Sequence, residues 1–486
     1  MNELERYKVI SSTLNDVSPT FCLAKWLQVT LHLQNGRTHS CHHPSTHHIP
    51  LEEIALDPSA LHNTTFKKSI QAEMIDGKRP SECQYCWNVE DLPGDHLSDR
   101  TMKSADTAWA GPQRIASVLD AVKNNKPINP TYVEVSFSNV CNFKCSYCSP
   151  VHSSKWVSEI QSHGAYDLDG HMYNGLEWFK ESKSMPIHHT EHNPYVEAFW
   201  NWWPDLSKDL KVFRVTGGEP LLDKNTFKVM DFMYENPCPD MEFSINTNLC
   251  IPKKLIDSYI EKMLKLTSEK KIRRHVLYTS IDGHGKQAEY GRNGLDYVTW
   301  IHTLDRVLTE LPDVKATIMC TTNIFSMTSM ERLLKDVYNL KLKHRSADRD
   351  VPLTIDMSIL RWPVHQCAAI LPGTYADMLL PALAFMEEHM LGNIEDEPWP
   401  GFFAPYQMFH VYEVEKMRRF IEYVRQPPNE NEGVSVETSM KQFYLFVNEH
   451  DARRGTNFLE TFPELSDFYY DCKKLHQNNI SLTEIT

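Results

Sequence analysis

Cys141, Cys145 and Cys148, separated by three and then two residues, stand directly after a strand-like run at 131–137. In that run Val133, Val135 and Phe137 alternate with Tyr132, Glu134 and Ser136. A loop leaving a strand can wrap three thiolates around three corners of a cubane iron–sulfur cluster. The fourth iron then has no protein ligand and stays open to substrate or cofactor chemistry. Tyr147, between the second and third cysteines, shields the cluster and offers a face to a flat ligand. Zinc is the alternative for any Cys-x2-Cys pair, and the triplet alone leaves it open.

Two further motifs lie downstream. A strand-like run at 212–215 leads into Thr216-Gly217-Gly218-Glu219-Pro220. The two glycines let backbone approach a ligand closely, and Glu219 offers an acceptor for an ammonium group. A second run, 277–281, ends in Ser280-Ile281-Asp282-Gly283, with Arg292 ten residues beyond Asp282. The three motifs in this order, over roughly residues 130–325, resemble the radical S-adenosylmethionine (SAM) superfamily. The resemblance implies that Gly217, Gly218 and Glu219 hold the methionine amino group of SAM. Ser280 and Arg292 look like the SAM-contacting segment of the peptide- and protein-modifying branch, with the Arg meeting the SAM carboxylate. Ser244, Asn246 and Asn248 match the region that binds the SAM ribose, with plain solvation of a strand end as the alternative. Asp282 matches a base used in substrate oxidation, or else it caps the turn at Gly283.

A second cysteine group lies nearer the N-terminus: Cys22, thirteen residues, Gly36, four residues, Cys41, and later Cys83-Gln84-Tyr85-Cys86. The run 27–33 reads as a strand and Asn35-Gly36 as a hairpin turn, which brings Cys22 and Cys41 together. Four thiolates can fill a cubane cluster or bind zinc. The pattern resembles the Twitch half of SPASM/Twitch domains, which carry an auxiliary 4Fe–4S cluster, although here it precedes the barrel instead of following it. His42, His43, His47 and His48 are left outside the ligand set. His188, His189 and His192 are expected on an exposed loop.

The elements that must position these groups read as parallel βα units. Strands are expected at 132–137, 212–215, 242–246, 276–281, 315–321 and 353–360. Helices are expected at 225–234, 253–265, 295–311 and 330–340. The fold class is therefore α/β, and the resemblance implies a partial (β/α)6 barrel with its chemistry at the C-terminal strand ends. The expected organisation is an auxiliary-cluster module at 1–105, a linker at 106–130, a barrel at 131–372 and a helical extension at 373–486. An insertion at about 150–207, rich in Trp, His and Tyr, is either a substrate lid or a segment packed outside the barrel. Helical patterns at 375–391, 407–425 and 436–449 fill the extension, with a polar break from Pro427 to Gly433.

A chain of 486 residues should hold more than one domain. Its 41% hydrophobic content and mean hydropathy of −0.45 are ordinary for a soluble protein. No apolar run approaches the ~20 residues of a membrane span, and the charged N-terminus has no signal core, so a cytoplasmic location is expected. Twelve cysteines then read as metal ligands before disulfides, with five of them outside the two groups. A net charge of −14 argues against a nucleic-acid surface. The basic run 270–274 reads as a solvated helix end.

The resemblance implies two 4Fe–4S clusters, SAM, and reductive cleavage to a 5′-deoxyadenosyl radical that abstracts a substrate hydrogen. A flavodoxin or ferredoxin is the expected electron donor. A peptide or protein is the expected substrate, and a small molecule or nucleoside the alternative. A non-enzymatic iron–sulfur electron carrier is the third class, but it would not need Gly217, Gly218, Glu219 and Arg292.

Overall fold

Alternation within the strand-like runs predicts one apolar and one polar sheet face, and the backbone delivers that division. The computed structural model describes residues 3–94, 96–345, 351–391, 407–427 and 433–483. The strands, in chain order, are β1 (Gln28–His32), β2 (Arg37–His39), β3 (His47–His48), β4 (Tyr132–Ser136), β5 (Lys144–Cys145), β6 (Tyr166–Leu168) and β7 (His171–Tyr173). They continue with β8 (Val212–Thr216), β9 (Cys238–Thr247), β10 (Ile272–Ser280), β11 (Arg292–Asn293), β12 (Lys315–Thr322) and β13 (Leu353–Ile359). The fold is α/β with a largely parallel sheet, as the βα pattern predicts.

The chain divides into two compact units. The first comprises 1–139, 186–245 and 265–275, and the second 140–185, 246–264 and 276–486. In the first unit the strand order is β3-β2-β1-β4-β8-β9, and the opening residues of β10 follow β9. Its register stacks residues in rows: Val29, Val133, Phe213 and Phe243 in one, and Leu31, Val135, Val215 and Ile245 in another. All eight are fully buried. The helix Pro194–Asp209 covers this face, with Trp203 packed 4.6 Å from Phe213. The tryptophan-rich segment therefore serves as a crossover helix on the sheet, where its indoles fill core.

The row between these two is polar. Thr30, Glu134, Arg214 and Ser244 lie side by side, and the Arg214 guanidinium approaches Glu134 at 3.8 Å. The N-terminal hairpin is built as expected, with Gly36 at φ +65° in its turn. Sequence reasoning did not foresee that β1 joins the main sheet, parallel to β4. The basic run 270–274 also departs from expectation. It lies in a turn and the start of β10, where Arg273 and Arg274 pair with Glu242.

In the second unit the end of β10 pairs in parallel with β12, and β12 with β13. The helices Tyr297–Glu310, Met330–His344, Val411–Arg425, Val436–Arg454 and Ser466–Thr483 accompany them. A fully buried ion pair, Lys341 to Glu413 at 2.7 Å, ties two of these helices together, and Glu413 also accepts from the Ile355 amide of β13. The helix expected at 375–391 is split. A 3-10 segment, Gly373–Leu379, precedes the α-helix Leu380–Glu388, because Pro381 has no amide hydrogen and suits only a first turn. Most of the polar break after Pro427, residues 428–432, lies outside the described residues. No described helix is long and apolar enough to cross a membrane.

Candidate functional site

In the first unit, β4 and β8 are parallel partners whose final pair is Ser136 and Thr216. Gly217 and Gly218 turn the chain out of β8. Gly217 holds φ +116°, and a Cβ there would lie 2.4 Å from Ser136 Oγ, so only glycine fits. Glu219 is buried and accepts from the Leu221 amide at 3.1 Å, capping the 3-10 turn Pro220–Leu222. Ser244, from β9, lies in the polar row beside Arg214, and its buried hydroxyl and that of Ser136 have no partner among the described residues. Two unmatched hydroxyls in such a place suit a polar ligand, since a buried hydroxyl without a partner is costly.

The same unit gathers the N-terminal cysteines. Cys22, Cys41, Cys83 and Cys86 line one narrow cavity of about 20 Å³. Among the described residues no three His, Cys, Asp or Glu side chains are drawn tightly enough to hold a single metal ion. The four thiols thus share one cavity wall without closing a single-metal cage. Burial raises the Cys22 thiol, and pushes Cys83 up to about 12 and Cys86 up to about 11. Thiols this reluctant to ionise become ligands when a metal's charge replaces the proton.

Three cations that sequence reasoning did not single out, Lys25, Arg100 and Lys103, also line the cavity. Burial alone would lower Lys25, but Cys83 and Glu82 outweigh it and keep the ammonium charged. Arg100 bonds Glu90 at 2.8 Å and the Phe21 carbonyl at 3.0 Å. Each cation is paired, Lys25 with Glu82, Arg100 with Glu90 and Lys103 with Asp99, so it is the four sulfur donors that fit an iron–sulfur group. Of the four histidines set aside, His43 lines the cavity, pairs with Asp99 at 2.7 Å and stacks on Tyr85. Burial lowers His42 to about 4, while His47 meets Thr64 and His48 meets Arg37.

The second unit contains the Cys141–Cys148 loop. The short strand β5, which includes Cys145, pairs antiparallel with β11, which begins at Arg292. Gly294 permits this approach, because a Cβ there would sit 2.8 Å from the Asn142 carbonyl. Side chains from distant segments bond the loop's carbonyls. Arg454 reaches Lys144 O (2.8 Å), Trp156 reaches Cys145 O (2.9 Å), Tyr173 reaches Ser146 O (2.9 Å) and Asn174 reaches Cys148 O (2.9 Å). The Phe143 amide points at Cys141 Sγ (3.4 Å) and Arg292 Nη1 at Cys145 Sγ (3.8 Å). N–H groups aimed at sulfur suit thiolates that carry a cluster. Burial raises Cys145 and pushes Cys148 up to about 12.

Arg292 and Asp282 meet in a bidentate pair. Nε donates to Oδ2 at 2.7 Å and Nη2 to Oδ1 at 2.9 Å, with both side chains buried. Asp282 accepts two more hydrogen bonds, from the Tyr147 hydroxyl (2.7 Å) and the Thr321 amide (2.8 Å). Burial alone would lower Arg292, but Asp282 and then Tyr147 outweigh it and raise it well above its ordinary value. Tyr147 also lies under the Arg292 guanidinium, 5.6 Å away. Ser280 ends β10 opposite Met319, Asn246 stands near the end of β9, and Asn248 donates to the Asn142 side chain at 2.9 Å.

No protein-family model matches the chain. A GTP 3',8-cyclase of Aliarcobacter butzleri (strain RM4018) is 26% identical over 173 residues, which is 33% of this chain and 43% of that protein. The chain thus spans less than half the length of this curated relative. Among solved structures, Streptococcus suis SuiB bound to the precursor peptide SuiA aligns at TM-score 0.32 and 12% identity, over 79% of this chain and 71% of that one. SuiB bound to S-adenosylmethionine aligns at TM-score 0.35 and 13% identity, over 75% and 69%. Alignments this loose carry no functional weight.

Proposed function

We propose that the chain is a radical SAM enzyme that modifies a peptide or protein with help from an auxiliary 4Fe–4S cluster. One observation carries the reading: each motif directly follows the C-terminal end of a strand in a parallel pair. The Cys141–Cys148 loop comes after β4, Gly217–Glu219 after its partner β8, and the Ser280–Asp282 segment at the end of β10. The four-cysteine cavity supports the auxiliary cluster. When bound, the open cluster and SAM supply a 5′-deoxyadenosyl radical that takes a substrate hydrogen atom.

The remaining roles belong to the protein. Glu219 accepts from the SAM ammonium. Arg292, oriented by Asp282, offers its remaining N–H groups to the carboxylate. Asp282, already accepting four hydrogen bonds, acts as the positioning group for Arg292 and Tyr147. Cys22, Cys41, Cys83 and Cys86 hold the auxiliary cluster, and a flavodoxin or ferredoxin supplies the electron. The name of the curated relative favours a second reading, in which the substrate is a nucleotide or other small molecule.

Anaerobic reconstitution tests the proposal. Two cubane clusters require about eight irons per chain, with about half lost when Cys141, Cys145 and Cys148 become alanine. Reduced with dithionite, the wild type is expected to release 5′-deoxyadenosine from SAM and Cys145→Ala none. A wild type that releases none would overturn the radical SAM reading. One holding about four irons and stoichiometric zinc would overturn the auxiliary cluster.

A further inference from the structure

One cavity in the second unit lies outside the cysteine groups and the SAM-meeting segments. It measures about 420 Å³, within the ~300–1,000 Å³ usual for ligand sites. Trp362, three residues after β13 ends, forms its rim. His171 from β7, His365, and Ser435, Thr438 and Gln442 from the start of the helix Val436–Arg454 complete the wall. We propose that this cavity is the substrate pocket, and that it takes an aromatic side chain of a peptide. The assignment rests on the radical SAM reading for its role as a substrate site, but not for the binding itself.

Three features of the wall define the ligand. First, none of the described lining residues is Lys, Arg, Asp or Glu. Burial lowers His365 to about 3, so this imidazole is neutral as well. A nucleotide's phosphates would enter without a cation to meet them, whereas a neutral side chain loses nothing there. Second, Trp362 is 54% exposed, and its ring stands edge-on to His171 at 6.4 Å. A large indole held half in water at a cavity mouth offers an incoming ring a partner. Third, Gln442 donates to the Leu168 carbonyl at 3.4 Å, which leaves its own carbonyl oxygen to accept an indole or backbone N–H.

The pocket is also joined to the cysteine loop. Tyr173 stands edge-on to His365 at 5.2 Å, and its hydroxyl bonds the Ser146 carbonyl. Gln366, next in the chain, bonds the same carbonyl at 3.2 Å. A ligand seated against His365 therefore presses on the two side chains that hold the loop between Cys145 and Cys148.

Calorimetry on the full chain tests this with the capped tripeptide Gly-Trp-Gly, with Gly-Leu-Gly in the same capping, and with guanosine and GTP. Saturable binding of the tryptophan peptide alone is expected. Trp362→Ala and Gln442→Ala should each weaken it by about three- to ten-fold, the range for one aromatic or hydrogen-bond contact. Trp362 is half-exposed, so its removal leaves folding intact, and the melting temperature checks this. No binding of the tryptophan peptide, or binding that both variants leave unchanged, would overturn the pocket. Guanosine or GTP binding that Trp362→Ala abolishes would assign it to a nucleoside instead. None of these readouts needs iron or SAM, so failure here is separable from failure of the radical SAM reading, which is read by iron content and 5′-deoxyadenosine.

Discussion

Asp282 gains its importance from four hydrogen bonds converging on one carboxylate, two of them from a buried guanidinium. Removing one partner of a buried pair leaves the other uncompensated, which costs about 3–5 kcal/mol. Asp282→Ala should therefore lower the melting temperature markedly, and it should weaken SAM binding although Asp282 itself is not assigned to touch SAM. Calorimetric SAM affinity equal to wild type in that variant would remove the positioning role. Glu159 gives a pH prediction. Burial would raise its carboxyl, but Arg454, and then Lys144 and Tyr166, outweigh this and lower it to about 2. A depressed carboxylate contributes stability that is complete above its ordinary value and disappears as pH falls towards 2. Between about pH 5 and pH 2 the wild type should lose more thermal stability than Glu159→Gln. Parallel melting curves across that range would show that the pair contributes nothing.

Two elements act at a distance from their place in the chain. The helix Val436–Arg454 ends on Arg454, whose fully buried guanidinium bonds Glu159 and the Lys144 carbonyl beside Cys145. The C-terminal extension thus reaches the cysteine loop directly. Arg454→Ala should cost about 3–5 kcal/mol and reduce the iron retained by the Cys141–Cys148 group. Full iron content together with an unchanged melting temperature would contradict this. The strand β1 is the second such element. Leu31, fully buried, sits in a row with Val135 and Val215. Leu31→Ala should cost about 2–5 kcal/mol, like other core truncations, in a denaturant titration.

At the scale of the whole molecule, the prediction is that residues 1–105 cannot be detached from the sheet they share with β4. β1 is the parallel neighbour of β4, so a chain beginning at residue 106 would expose the β4 edge and the buried row of Val133 and Val135. Such an edge is a template for association. The truncated chain should elute as aggregate in size-exclusion chromatography, and a monodisperse, folded product would restore the view of a separable domain.

How much of this was legible beforehand depends on the range of each signal. The strand positions, the hairpin turn at Gly36 and the three motifs at strand ends are local, because period-two alternation, glycine conformation and cysteine spacing all act within a few residues. The sequence alone thus determined the α/β class, the cysteine groups and the motifs at the strand ends. Non-local placement decided the rest. The pairing of β1 with β4, the Arg292–Asp282 clamp across a ten-residue gap and the cations around Cys22 depend on which segments fold back on one another. Arg454 lies 310 residues from Lys144 and leaves no periodic mark. Its role exists only because a helix terminus is carried to a loop whose carbonyls, once buried, require donors from somewhere.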